Sequence, residues 1–184
     1  MSGARIAPGS RKDVGLVGWV ISQGAGLVNR TTAPNLFLTL GRHRKLFRGW
    51  LRFAGRLMPG GTLPRRETEL VIIRVANLRS CAYELDHHLE LGRRAGVTPD
   101  DVTRLLAGPS DESWSGWPPR ERALLDAVEA LHHRQDLTDG EWSALREHYD
   151  ERAAIEVCFL AGHYEMLATV IETLRIEPDR PRRG

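Results

Sequence analysis

Glu69-Leu-Val-Ile-Ile-Arg-Val-Ala-Asn-Leu-Arg-Ser-Cys-Ala-Tyr-Glu-Leu-Asp-His-His88 decides the fold of this chain. The residues Leu70, Val71, Ile72, Ile73, Val75 and Ala76 cover most of a helix circumference, and a helix apolar nearly all round is a central one. It is expected to start near Pro64, which suits a first turn, and to run to about Asn77. Glu69 therefore stands at the edge of a buried element, where a carboxyl needs a reason to be. Ser80 reads as the N-cap of a second helix and Gly96 as its stop. On that helix Cys81, Glu84 and His88 follow at i, i+3 and i+7, within an arc of roughly 60° at about 100° per residue. A thiol, a carboxyl and an imidazole on one face can exchange protons.

Outward from this pair the pattern stays helical, and no window alternates strictly enough to argue for a strand. Val14–Val28 reads as a buried helix packing on the main body. Asn35–Leu40 reads as a short helix. Lys45–Met58 is longer, with Leu46, Trp50, Phe53 and Leu57 as its apolar face, and Pro59-Gly-Gly61 ends it. Thr98-Pro-Asp-Asp101 opens another helix with a capping residue, a proline and acidic residues in the first turn. The segment 107–119 reads as a loop pinned to the body by Trp114 and Trp117. Helices follow from Pro118, from the capping box Thr138-Asp-Gly-Glu141, and from the cap Asp150. The last carries a broad apolar face that includes Ile155, Phe159, Leu160, Met166 and Leu167. The expected fold is all-α, a compact multi-helix bundle. Residues 1–30 form an N-terminal helical extension, 31–176 the main domain and 177–184 a disordered basic tail.

A chain of 184 residues can bury a core without staples. A net charge of +2, with basic residues dispersed, gives no electrostatic case for nucleic acid. The apolar stretch 14–28 is interrupted by four glycines and too short to span a bilayer, so no membrane partner is expected. Two cysteines far apart, Cys81 and Cys158, are no disulfide framework and suit a reducing cytoplasm.

Two readings of the constellation compete. Cys81 near a helix N-terminus has a site that stabilises a thiolate. A neutral His88 there takes the thiol proton, a protonated one adds to the field, and Glu84 orients the imidazole or shuttles the proton. Alternatively Cys81 is a buried small hydrophobe, and Glu84 and His88 form a surface pair. Neither a paired CxxC nor an HExxH spacing is present, so no metal is expected. His163, in Gly162-His-Tyr-Glu165 on the last helix, is either a satisfied core histidine or part of a pocket lining.

The runs Leu63-Pro-Arg-Arg-Glu-Thr-Glu-Leu-Val-Ile-Ile-Arg-Val-Ala76, Ser80-Cys-Ala-Tyr-Glu-Leu-Asp-His-His88 and Arg93-Arg-Ala-Gly-Val97 resemble the carboxymuconolactone decarboxylase and alkylhydroperoxidase D superfamily. The resemblance covers roughly residues 30 to 175. It implies an all-helical homo-oligomer without cofactor, with its pocket near subunit contacts. In the alkylhydroperoxidase branch the motif is a glutamate, a CxxC pair and a histidine four residues after the second cysteine. Glu69, Cys81 and His88 match it, but the second cysteine falls on Glu84. The first expectation that follows is a thiol-dependent hydroperoxidase. In it Cys81 is the nucleophile, His88 the proton acceptor, and Glu69 and Glu84 the relay carboxyls. An external thiol serves as reductant unless Cys158 lies close. The alternative is a cofactor-free decarboxylase or related lyase or isomerase acting on a small carboxylated lactone. There Glu69, Glu84 or His88 supplies the acid and Arg74 holds the carboxylate. A third is a non-catalytic oligomeric binding protein on the same scaffold.

Overall fold

A computed structural model describes residues 3–29 and 31–181 of the chain. Its described residues form nine α-helices and one 3-10 turn, with no strand. The helices are α1 (Arg11–Asn29), α2 (Asn35–Leu40), α3 (Arg44–Leu57), α4 (Arg65–Leu78), α5 (Ala82–Arg94), α6 (Pro99–Ala107), α7 (Pro119–Arg134), α8 (Asp139–His148) and α9 (Glu151–Leu174). The chain divides into two compact units, one of Met1–Gly55 with Thr169–Gly184 and the other of Arg56–Ala168.

The second unit is organised around α4, in which every residue from Glu67 to Ala76 is buried. Leu70 and Ile73 join Val97, Leu105, Trp114, Trp117 and Leu125 in one cluster. Such an element tolerates charge only where each charge meets a partner. Glu67 pairs with Arg120 at 2.6 Å, and Arg66 reaches both Asp101 (2.8 Å) and Glu121 (2.7 Å). Both tryptophans of the 107–119 loop are buried, and a 3-10 turn over Glu112–Gly116 sets Trp114 so that its indole donates to Asp126 at 2.9 Å. The capping boxes at Thr98 and Thr138 form as expected. Asp150 accepts from the Ala153 amide at 2.8 Å. The α3–α4 loop is clasped by Glu156 of α9, which accepts from the Thr62 amide and hydroxyl (2.5 Å each) and the Leu63 amide (3.2 Å).

Three helix faces differ from expectation. On α3 the buried aromatic is Phe47, while Leu46 and Phe53 are exposed. On α9 Leu160 and Leu167 are buried, whereas Ile155, Phe159 and Met166 face outward. Helix α1, read as a buried helix, buries Val14, Gly18, Ser22 and Gly26 but exposes Leu16, Val17, Val20, Leu27 and Val28. Apolar periodicity identifies a stripe, but a stripe wider than the contact leaves one flank outside it. The tail is not disordered as far as Pro181. The Thr32 amide donates to the Arg180 carbonyl at 2.9 Å, and the Asn35 amide to the Asp179 carboxylate at 2.7 Å. Residues 182–184 of that tail lie outside the described residues.

Candidate active site

The α4–α5 connection positions the constellation. Ser80 takes a left-handed conformation (φ 51°), which removes it from the capping position and leaves Cys81 as the N-cap of α5. Serine caps better, but the cap is the residue whose backbone enters the helix, and the turn at Ser80 hands that place to the cysteine. Glu84 then occupies the third helical position, and His88 follows one turn later on the same face. Cys81 and Glu69 are fully buried, and Glu84 and His88 nearly so. The surface-pair reading of Glu84 and His88 is thereby excluded.

The imidazole is clamped between two carboxylates. His88 donates from Nδ1 to Glu69 Oε2 at 2.7 Å, and its Nε2 faces Glu84 Oε2 at 3.3 Å. The other Glu69 oxygen lies 2.5 Å from the guanidinium of Arg65, one turn earlier on α4. Burial alone disfavours the imidazolium, but the hydrogen bonds and charges of Glu69 and Glu84 outweigh it, and the pKa rises to about 9. Arg65, Glu69, His88 and Glu84 thus form a line of alternating charge with no net excess. This arrangement lets four ionic groups share a low-dielectric site.

This geometry sets His88 against the role of proton acceptor for Cys81 while the ring is charged. An imidazolium with both nitrogens engaged has no lone pair to offer. Glu84, three residues from the thiol at the head of the same helix, is the nearer candidate, because side chains at N-cap and N3 adjoin one another. Neither cysteine is in a disulfide, and Cys158 is exposed on α9 while Cys81 is buried.

Arg74, expected to hold a substrate carboxylate, is committed elsewhere. It pairs with Glu129, donates to the Leu105 carbonyl at 2.6 Å and lies over the Trp114 ring at 5.5 Å. A helix buried all round obliges its arginine to find such partners inside the protein. His163 is buried, and burial lowers its pKa against the opposing charge of Glu84. Its ring packs edge-on against Tyr164, which packs edge-on against His88, each at 5.2 Å between centroids.

Two residues of the site went unread in the sequence. Arg65 is legible in principle as the i−4 neighbour of Glu69. Tyr164 brings a buried phenol to the imidazole, with its hydroxyl 3.9 Å from the Met58 sulfur. Burial and the charges of Glu84 and Glu69 raise its pKa, so it stays protonated. No group of three or more His, Cys, Asp or Glu among the described residues is disposed to hold a metal ion. A cavity of about 440 Å³ in the first unit, lined by Trp19, Gln23, Asn35, Leu38 and Arg180 among others, includes none of these site residues.

The sequence profile described as the Carboxymuconolactone decarboxylase family matches residues 44–130. The whole chain superposes on an uncharacterized peroxidase-related protein from Ralstonia eutropha JMP134 with an alkylhydroperoxidase AhpD core. The TM-score is 0.83 at 19% identity, over 100% of this chain and 99% of that one. Residues 44–130 thus carry the sequence pattern of the carboxymuconolactone decarboxylase family, and the chain has the alkylhydroperoxidase D-like all-α fold. The uncharacterized protein YdfG of Bacillus subtilis (strain 168) is 29% identical over 101 residues, 54% of this chain and 67% of that protein. The debrominase Bmp8 shares the fold with a TM-score of 0.74 at 18% identity, over 94% of this chain and 91% of its own. A cysteine-to-alanine variant of that debrominase is in complex with 2,3,4-tribromopyrrole. On the resemblance of its motif, Glu84 falls where the alkylhydroperoxidase branch has its second cysteine.

Proposed function

We propose that this chain is a one-cysteine thiol peroxidase acting on small organic hydroperoxides in a reducing compartment such as the cytoplasm. The observation that carries the reading is the charge-balanced clamp of His88 between Glu69 and Glu84, built beside a thiol at a helix N-terminus. Glu84 takes the Cys81 proton as sulfur attacks the terminal peroxide oxygen. The O–O bond breaks, an S–O bond forms, and the proton passes to the departing alkoxide as alcohol. Sulfur is oxidised by two electrons to a sulfenic acid and the peroxide is reduced. The His88 imidazolium and the α5 N-terminus stabilise the thiolate and the negative charge developing on the leaving oxygen.

Glu84 cannot form a disulfide, so an external thiol closes the cycle. One thiol condenses with the sulfenic acid, releasing water and leaving a mixed disulfide. A second displaces Cys81 and leaves as its own disulfide. Full burial of Cys81 restricts the reaction to substrates small enough to enter.

The decarboxylase reading loses its carboxylate-binding arginine, because Arg74 is committed to Glu129. The debrominase among the structural neighbours makes halogenated pyrroles the next electrophiles to offer the same thiol. The deciding experiment is intact mass after brief exposure to one equivalent of alkyl hydroperoxide, for the parent and Cys81→Ser. A rapid gain of one oxygen, trapped by a sulfenic-acid reagent and missing in the variant, is expected. Peroxide turnover retained in Cys81→Ser would sink the proposal, as would oxidation no faster than that of a free thiol.

A further inference from the structure

The cavity of about 440 Å³ in the first unit is built from three stretches of chain: one face of α1, the α1–α2 connection with α2, and the strap that follows α9. Gly26 lets the connection turn back on α1, since a Cβ there would stand 2.5 Å from the Thr32 carbonyl oxygen. The strap is tied to that connection and to α2. The Thr32 amide donates to the Arg180 carbonyl at 2.9 Å, and the Asn35 side-chain amide donates to the Glu177 and Pro178 carbonyls at 3.1 Å each. These bonds hold the backbone at Arg180 beside the cavity, which Arg180 lines. Trp19 and Gln23, one turn apart on α1, and Leu38 of α2 line it too.

We propose that this cavity binds a small organic anion, an apolar body of one or two rings that bears a single carboxylate. Its volume lies within the range of about 300–1,000 Å³ that small-molecule sites occupy. Arg180 is the only charged residue lining it. The Arg180 guanidinium makes no hydrogen bond or ion pair with another described residue. Its neighbour Asp179 accepts from the Asn35 amide at 2.7 Å, and the chain holds no Asp or Glu between Asp13 and Glu67. A guanidinium among walls that carry no carboxylate is matched by a carboxylate from outside, which it can bind through two parallel N–H bonds. Trp19 and Leu38, both half-buried, supply an indole and an aliphatic side chain for the apolar body. The Gln23 amide bonds no other described residue and is left for a polar substituent. One cation among neutral walls suits a monoanion, whereas a phosphate dianion would keep a charge unmatched.

The test is calorimetric titration of the full chain with 2-naphthoate and with 2-naphthamide, which has the same shape without the charge. One saturable site is expected for the naphthoate. Arg180→Gln changes an exposed residue whose side chain bonds nothing else in the fold, and it should weaken binding roughly tenfold or more. Exchanging the carboxylate for the amide should weaken it as much. Cys81→Ser should bind as the parent does, because the cavity includes none of the active-site residues. Absence of saturable binding up to about 1 mM naphthoate, or equal affinity for the parent and Arg180→Gln, overturns the proposal. Loss of binding in Cys81→Ser overturns it as well, by placing the probe at the active site. A second measurement follows the Trp19 indole N–H by NMR, assigned with Trp19→Phe. Its resonance is expected to move as naphthoate is added, and an unmoved resonance overturns the location.

Discussion

Replacing Glu69 by glutamine removes one jaw of the clamp while keeping its shape. Its effect can be worked from the geometry. His88 sits at about 9 against an ordinary 6.5, a difference worth about 3 kcal/mol of preference for the charged ring. Glu69 makes the shorter of the two contacts, 2.7 Å against 3.3 Å for Glu84, so at least half of that preference belongs to it. In Glu69→Gln the imidazole pKa is expected to fall by at least one unit, roughly tenfold in its protonation equilibrium. The assay is a pH titration of the imidazole by NMR on histidine-labelled protein, with His88→Asn assigning the resonance.

The same residue links to stability. A histidine whose folded pKa is raised stabilises the fold fully below its unfolded pKa, and that contribution is lost as pH rises through the folded value. The parent's unfolding free energy should therefore decline between about pH 6.5 and 9, and Glu69→Gln should show a shallower decline. A His88 that titrates near 6.5 in the parent, or does not move in the variant, would refute the clamp.

Arg74→Ala tests the structural assignment of that arginine. Leaving the half-pair Glu129 and the Leu105 carbonyl without their partner should cost about 3 kcal/mol, on the order of 10 °C in melting temperature. His88 should titrate unchanged, and a variant that melts with the parent would return Arg74 to the list of pocket residues. Glu156→Ala tests the clasp on the α3–α4 loop. The Thr62 and Leu63 amides should exchange with solvent roughly tenfold faster or more, as expected for loss of a bond to a charged acceptor. Hydrogen exchange followed at those two amides reads this directly, and unchanged protection would show the loop to be held by other contacts.

How far the site was legible follows from the range of each contact. Glu84 and His88 lie one turn apart on one helix, so their shared face is readable from spacing alone. Glu69 announced itself as a carboxyl on a helix otherwise apolar all round, but its contact with His88 bridges two helices. Only the resemblance placed the two together. Arg74 carried the same signal as Glu69, a charge on a buried helix. Sequence gave no means of telling that its partner, Glu129, is structural and 55 residues away. Ser80 and Cys81 were inverted as cap and first-turn residue, because capping preference is a property of side chains whereas the cap is chosen by backbone direction. The helix count survived such errors, since helix formation depends on local period. The faces of α1, α3 and α9 did not, since burial is decided by what packs against them.

The charge state of His88 bears on why a carboxyl can stand where a dithiol enzyme has its second cysteine. A thiol at position 84 would both receive protons and resolve the oxidised first cysteine. A carboxyl keeps the first capacity and loses the second. It also contributes a second negative charge, with Glu69, to hold the imidazolium. A neutral thiol in its place would leave one imidazole nitrogen without an anionic partner, and burial would then draw the ring toward its neutral form. Glu84→Cys should accordingly do two opposite things at once. It supplies a resolving thiol three residues from Cys81, and it lowers the His88 pKa on which the field at Cys81 depends. In the proposed cycle the native chain keeps the permanent charge and takes its second thiol from solution. The burial of Cys81 then shields the sulfenic acid from further oxidation until that thiol enters.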